Sequence, residues 1–241
     1  MEVNLLHGDP VAIADQAFLF KRAVRETALR HKMYASFMAK PMEKEPGSAM
    51  HIHQSVISTK TGENIFSNTD GDASSLFYAY IGGLQRFLPA SLSLLAPNVN
   101  SYRRLIRYHA APINVQWGLD NRTVGLRVPD SGRESRRVEN RVPGADANPY
   151  LAIAASLACG LLGMQQKLDP SAPVTASAYD MPYELPRSLE QSLEALEHCD
   201  DLKEMLGTRF VQAWNAVKES EYDTFLQVIS SWEREHLLLN V

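Results

Sequence analysis

The sequence predicts a mixed α and β fold. Two kinds of segment point to it. Short stretches alternate with a period of two, as in GSAMHIHQS at 47–55, RTVGLRV at 122–128 and RRVENRV at 136–142, which is strand patterning. Longer stretches open with helix-starting pairs, Asp9-Pro10 and Asn148-Pro149, in which the first residue caps and proline takes the first helical position. The size permits such a fold: 241 residues, 45% hydrophobic and 22% charged, are enough to bury an apolar core as one large domain or two small ones.

Taken in order, residues 1–6 read as the end of a strand, because Val3 and Leu5 alternate with Glu2 and Asn4. A helix follows from Pro10 to about Lys32. Its expected apolar face holds Phe18, Val24 and Leu29, with Ala14 and Leu19 nearby, and its charged face holds Lys21, Arg22, Arg25, Glu26 and Arg30. Residues 34–40 form a short apolar strand candidate, and 41–47 a loop into GSAMHIHQS. The turn-rich run 59–75 is a surface excursion. A helix is expected from about Ser75 to Leu88. The pair Gly82-Gly83 inside it costs about 1 kcal/mol each relative to alanine, and so implies close backbone packing or a kink. From Asn148 a small-residue apolar run to about Gln166 reads as a buried helix. Four prolines at 170, 173, 182 and 186 then exclude long regular structure. Ser188 and Gln191 suggest a capping box opening a helix to about His198. The last segment, 207–232, reads as helical, with Phe210, Trp214, Val217, Phe225 and Val228 as its buried side.

Composition narrows the function. A net charge of -4 and a pI near 6.0 give no reason to expect nucleic acid or an anionic membrane as the main partner. Two cysteines, Cys159 and Cys199, form no CxxC or metal-ligand spacing, which suits a reducing, cytoplasmic setting without a disulfide framework. The N-terminal stretch has no basic segment before an apolar core, and no apolar run reaches the ~18 residues of a membrane span.

The chemistry concentrates in three places. On a strand, His51, His53 and Ser55 would project from one face while Met50, Ile52 and Val56 pack on the other. Paired imidazoles on one face can hold a cation and contact phosphate, although two solvated histidines on an exposed strand satisfy the same spacing. Nine arginines lie between Arg103 and Arg141 in a chain of negative net charge. Ion pairs with the chain's own carboxylates are one explanation. A nucleic-acid groove is another, but aromatic platforms do not alternate with these arginines. A pocket for polyphosphate and carboxylate groups explains the set better, since a guanidinium pairs bidentately with either, and alternation in RTVGLRV could aim Arg122 and Arg127 into one cavity. Glu139 stands between Arg137 and Arg141 on one strand face, so two cations should keep it ionised, either in a structural ladder or as a metal ligand within a phosphate site.

Together the motifs EVNLLHGDP, FMAKPM, GSAMHIHQS, NSYRRL, APINVQWGLDNRTVGLRVP and RRVENRVPGADANPYLAIAA, with SLEQSLEAL and WEREH, resemble the glutamine synthetase family over nearly the whole chain. The resemblance implies an α+β fold, a curved antiparallel sheet with helices behind it, and makes 1–241 a catalytic domain incomplete at its N-terminal end. It implies an ATP-dependent ligase that phosphorylates the side-chain carboxylate of L-glutamate and passes the acyl group to an amine or to ammonia. It makes Glu2, His51 and Glu139 ligands to paired Mg2+ or Mn2+, and places His53, Ser55, Arg127 and Arg137 at the nucleotide. It assigns Gly47, Arg104 and Arg141 to glutamate and Arg122 to the transferring phosphoryl group, the catalytic position. It also implies a homo-oligomeric ring in the full-length form, with a role in nitrogen metabolism.

The departures from the family pattern carry information. YRRLIRYHA puts Ala110 where ammonium-using members carry an acidic residue, and APINVQWGLDNRT is closer to γ-glutamyl-polyamine and related amine ligases; an organic amine is the expected acceptor. Glutamine synthesis from ammonia is the alternative. Pro46 stands for the family's asparagine before Gly47, and Glu134 for its nucleotide-site lysine. Tyr183 aligns with a tyrosine that some members modify. The family's smaller N-terminal domain, which completes sites between subunits, has no counterpart before Met1. A fragment of a longer enzyme is therefore expected, with a truncated non-catalytic nucleotide-binding or structural subunit as the competing class. A zinc hydrolase built on the HxH pair lacks a third ligand at suitable spacing.

Overall fold

Asp9 starts the first helix. Its carboxylate accepts hydrogen bonds from the backbone N–H groups of Val11 and Ala12, at 3.0 and 3.2 Å, and Pro10 supplies a pre-set φ for the first turn, giving α1, Pro10–Arg30. The structure is a computed structural model that describes residues 2–241. Along the chain follow β1 (Ile52–Gln54), α2 (Ser75–Phe87), α3 (Leu92–Leu95), β2 (Trp117–Leu119), β3 (Leu126–Val128), β4 (Val138–Asn140), α4 (Pro149–Gln166), α5 (Leu189–Glu197), α6 (Asp200–Leu206), α7 (Thr208–Leu226) and α8 (Ser231–Leu237). Short 3-10 turns cover Val99–Arg103, Arg133–Ser135 and Ala178–Asp180. No helix among the described residues is long and apolar enough to cross a membrane.

The sheet is mixed, with strand order β1-β4-β3-β2. The pairs β1–β4 and β4–β3 are antiparallel, and the outer pair β2–β3 is parallel. Parallel strands ordinarily need a long crossover. Three-residue strands rise only about 7 Å between their end residues, so the short turn between Leu119 and Leu126 suffices to return the chain. Ile52, Leu126, Val128 and Val138 point to the core, where they join Phe66, Tyr80, Leu84 and residues of α4. β4 is tied to α4 by a buried hydrogen bond from Asn140 Nδ2 to Ser156 Oγ at 2.9 Å.

The Gly82-Gly83 pair serves close approach. A Cβ on Gly83 would stand 2.3 Å from the Cys159 carbonyl oxygen and 2.6 Å from Gly163 Cα, while one on Gly82 would meet the Leu168 carbonyl at 2.7 Å. α2 therefore crosses α4 backbone against backbone, and the entropic cost of glycine in a helix is offset by the packing it admits.

Several elements differ from expectation. Residues 2–6 and 34–40 form no strand, and Met1 lies outside the described residues. The second segment is held instead by Asn100, whose side-chain oxygen accepts from the Lys40 N–H at 2.8 Å while its amide nitrogen donates to the Lys40 carbonyl at 2.9 Å. α1 buries Ala14 rather than Phe18, Leu19 or Leu29, because it rests on α4 through a small side chain and through Lys21, whose Nζ donates to the Ala147 carbonyl at 2.7 Å. The last helical region is two helices, with a capping box of Ser230 and Glu233 opening the second. Its buried stripe is Val211, Asn215 and Lys218, at i, i+4 and i+7, flanked by half-buried Phe210 and Trp214. Val217, Phe225 and Val228 are exposed, because the Lys218 stem crosses the Trp214 ring and Asn215 donates to the Leu193 carbonyl, so two polar residues fill the positions that apolar patterning reserved for hydrophobes.

Replacing Gly83 by alanine should lower unfolding stability by about 2 kcal/mol or more, the cost of overpacking exceeding the ~1 kcal/mol helix-propensity gain. Alanine at exposed Gly132, where an added Cβ meets nothing within 4 Å, should change stability by less than about 0.5 kcal/mol. Urea denaturation of the two variants checks both values.

Candidate active site

Sheet register assembles the site. His53 on β1 lies opposite Glu139 on β4, and Glu139 lies opposite Arg127 on β3, so one row of side chains crosses three strands on one face. Glu139 is its centre. Arg127 donates to Oε2 at 2.7 Å, Arg141 donates to Oε1 at 2.6 Å, and His51 Nδ1 lies 3.0 Å from Oε1. The carboxylate is only 2% exposed. Burial alone would raise its pKa; the hydrogen bonds from His51 and Arg127 and the charge of Arg141 outweigh it and hold the carboxyl far below the usual carboxylate range.

Around this centre the cations outnumber the anions. Arg127 also donates to exposed Asp120 at 2.7 Å. Arg137 Nε lies 3.3 Å from His53 Nδ1, and burial draws the His53 imidazole below its ordinary value, opposed by Glu139 and assisted by Arg137, His51 and Arg127. Arg104 is 2% exposed, donates to the Val142 carbonyl, and has no carboxylate within ion-pair distance. Burial pushes its pKa down to about 10, Asp146 acting against that shift and Arg141 with it. The Nε atoms of Arg104, Arg127 and Arg141 are all buried without a protein partner. Gly47 packs directly on this group: a Cβ there would fall 2.5 Å from both Arg104 Cγ and the Ala39 carbonyl. Only glycine allows the backbone to pass so close to the guanidinium stem.

The structure thus brings together His51, His53, Arg127, Arg137, Glu139 and Arg141, with Gly47 beside Arg104. Ser55 is exposed next to β1. Arg122 lies in the turn before β3, exposed, and takes no part in the ion pairs of Glu139. Strand alternation does not apply to it, because regular strand begins only at Leu126. Glu2 is exposed in irregular backbone, and no hydrogen bond or ion pair joins it to His51 or Glu139. Tyr183 is sandwiched between two guanidiniums, Arg107 at 5.1 Å and Arg187 at 4.8 Å from its ring centre. Ala110 closes an exposed loop with φ 57°, two residues after Tyr108 with φ 62°.

Two residues escaped the sequence reading. Asp120, which shares Arg127 with Glu139, was hidden in a turn; the LDN triplet was its only signal. Asp146 accepts from Asn98 Nδ2 at 2.8 Å and Ser101 Oγ at 2.6 Å, and so ties the PGADANP segment to the 3-10 turn that leads into Arg104. Sequence distance concealed that contact.

The donor set does not by itself fit a divalent metal pair. Among the described residues no three His, Cys, Asp or Glu side chains converge, and both oxygens of Glu139 are engaged by nitrogen donors. His51 and Glu139 are two adjacent potential ligands, fewer than the six oxygen-rich contacts such ions favour.

The family model described as the glutamine synthetase catalytic domain matches residues 1–237. The chain belongs to the glutamine synthetase family. It is 43% identical to γ-glutamylputrescine synthetase PuuA of Escherichia coli over 99% of its own length and 51% of that protein, and 40% identical to type-1 glutamine synthetase 2 of Dictyostelium discoideum over 93% and 44%. A solved GmaS–ADP complex superposes with TM-score 0.88 at 32% identity, covering 98% of this chain and 56% of that one. The chain spans about half the length of the curated relatives it matches. Family membership accounts for the α+β architecture.

Glu139→Ala should cost about 3–5 kcal/mol, because it strands two guanidiniums in a nearly dry site. Asp120→Asn, which removes an exposed partner of the same Arg127, should cost less than about 1 kcal/mol. Thermal and urea unfolding of the two variants distinguish the buried from the solvated half of the network.

Proposed function

We propose that the protein is a carbon–nitrogen ligase that couples ATP hydrolysis to joining the side-chain carboxylate of L-glutamate to an organic amine. The observation that carries this reading is the excess of guanidinium around one buried carboxylate: Arg127 and Arg141 share Glu139, Arg104 has no carboxylate partner, and all three keep a buried Nε without a partner. Anionic ligands relieve that excess. Membership in the glutamine synthetase family supplies the reaction class.

The chemistry has two steps. An oxygen of the glutamate side-chain carboxylate attacks the terminal phosphorus of ATP, and ADP leaves, giving an acyl phosphate. The amine nitrogen then attacks the acyl carbon, the C–O bond to phosphate breaks, and the nitrogen loses a proton. Arg104 and Arg141, with the Gly47 backbone, hold glutamate. Arg127, Arg137, His53 and Ser55 meet the nucleotide; the relative solved with ADP supports a nucleotide in this class. Arg122, exposed and outside the ion pairs of Glu139, is the arginine available to the transferring phosphoryl group. Fixed cations lower the barrier most where charge develops, and they need no reorganisation to do so. Family chemistry uses divalent ions; the described residues offer only His51 and Glu139 as adjacent potential ligands, so no step is derived through such ions.

Ala110 supports an organic acceptor. Its methyl group offers no carboxylate to an ammonium ion, and its loop leaves room for a larger amine. The relative named for putrescine supports the same choice. Glutamine synthesis from ammonia is the second reading, favoured by a relative of nearly equal identity that carries that name.

Glutamate-dependent phosphate release from ATP with Mg2+, measured on this chain and on the chain extended by any coding sequence preceding Met1, should be faster with organic amines than with ammonium. Ala110→Glu should shift the ratio toward ammonium by about tenfold, the effect of one charge-assisted contact of ~1.4 kcal/mol. Preference of the unmodified protein for ammonium would return it to glutamine synthesis.

A further inference from the structure

The loop 106–110 meets the 3-10 turn Ala178–Asp180 outside the ion-pair row, and the scheme above uses none of the side chains that join them. Tyr108 donates its hydroxyl to Asp180 Oδ1 at 2.9 Å, and its ring lies 5.4 Å from the Tyr179 ring at a tilt of 57°. Asp180 is exposed and has no cationic partner within ion-pair distance. Its second oxygen makes no hydrogen bond among the described residues. An exposed carboxylate beside the exposed ring of Tyr108, which is itself packed on Tyr179, is a receptor for an organic cation, through charge and through the ring quadrupole.

The turn is fixed to the candidate active site from three sides. Asn121 Nδ2 donates to the Val174 and Ala176 carbonyls at 3.0 and 2.8 Å, and the Ala178 N–H donates to Thr123 Oγ1 at 2.9 Å, so both neighbours of Arg122 hold the segment. Asn114 Nδ2 donates to the Ala178 carbonyl at 2.8 Å. Tyr179 is buried, which raises its pKa, and lies near enough to Arg141 for that charge to act against the rise. Tyr108 stands two residues from Ala110, in the same loop with positive φ. Tyr179 thus links the neighbourhood of Arg141 to Tyr108, and Tyr108 to Asp180.

We propose that Tyr108, Tyr179 and Asp180 form a subsite for the distal ammonium group of a diamine acceptor, an assignment that rests on reading the chain as a glutamate–amine ligase. One amine nitrogen attacks the acyl phosphate near Ala110, and the other, still protonated, seats against the free Asp180 oxygen. The neighbouring cation does not compete for this place: Arg107 lies over the Tyr183 ring at 5.1 Å and donates to the Met181 carbonyl at 2.9 Å. A monoamine of equal length brings an apolar tail to the same carboxylate and gains nothing from it. The subsite thus selects diamines over monoamines.

Isothermal titration calorimetry with 1,4-diaminobutane and 1-aminobutane tests this without turnover. The unmodified protein should bind the diamine about tenfold more tightly, and Asp180→Asn should bring the ratio of the two dissociation constants close to one. Asp223→Asn, at an exposed carboxylate on α7, should leave the ratio as it was. Equal affinities in the unmodified protein, or an undiminished ratio in Asp180→Asn, would overturn the subsite. A diamine preference that Asp180→Asn abolishes, in a protein that releases no glutamate-dependent phosphate with any amine, would uphold the cation subsite and overturn the ligase reading.

Discussion

One buried carboxylate organises the site. Glu139 sits in the central antiparallel pair of the sheet, and its two oxygens collect donors from β1, β3 and the residues after β4. Desolvating a carboxylate is expensive, and a single ion pair often fails to recover the cost. Here three nitrogen donors act on it at once, which keeps it ionised and in turn fixes the side chains that touch it. The apolar side of the same strands packs on α4, whose crossing with α2 depends on Gly83 and Gly163. The arginines are therefore held on a rigid floor rather than on a mobile loop, which suits recognition of charged groups that must be aligned before they react.

Much of this was legible in the sequence, and for identifiable reasons. A cap followed by proline is a local signal, so Asp9-Pro10 and Asn148-Pro149 marked helix starts that the structure reproduces. The same-face pairing of His51 and His53 follows from a period of two, and both histidines reach the row of Glu139. The packing reading of the glycine pair holds because the residues of α4 opposite it are themselves small. What failed depended on partners. A strand exists only if another strand accepts its hydrogen bonds, so the alternation of residues 2–6 and the apolar run at 34–40 could not decide their conformation. The inner face of α7 was misjudged because Lys218 and Asn215 are buried through their stems and a carbonyl contact, which hydropathy does not register. Asp146 and Asp120 act across turns, where sequence spacing carries no geometric information.

The charged groups around the site are unevenly paired. At the sheet, guanidinium exceeds carboxylate, and three buried Nε atoms lack partners. Beside the loop 106–110, Asp180 is an exposed carboxylate without an ion-pair partner, bonded to exposed Tyr108, while Arg107 is engaged by Met181 and Tyr183. The anionic donor and cationic acceptor proposed above would each meet complementary charge at one of these two places. The backbone of that loop is held in place. Tyr108 and Ala110 both take positive φ, a conformation costly for residues with a Cβ and retained only where surrounding contacts over-determine it. Those contacts are visible: Arg107 is clamped to Met181 and Tyr183, and Tyr108 to Asp180. The strained loop is thereby fastened to the turn that Asn121 and Thr123 anchor, and Arg122 lies between those two anchors. Hydrogen bonds of Tyr108, Asn121 and Thr123 thus join the loop that bears Ala110 and the turn that bears Arg122 into one connected segment.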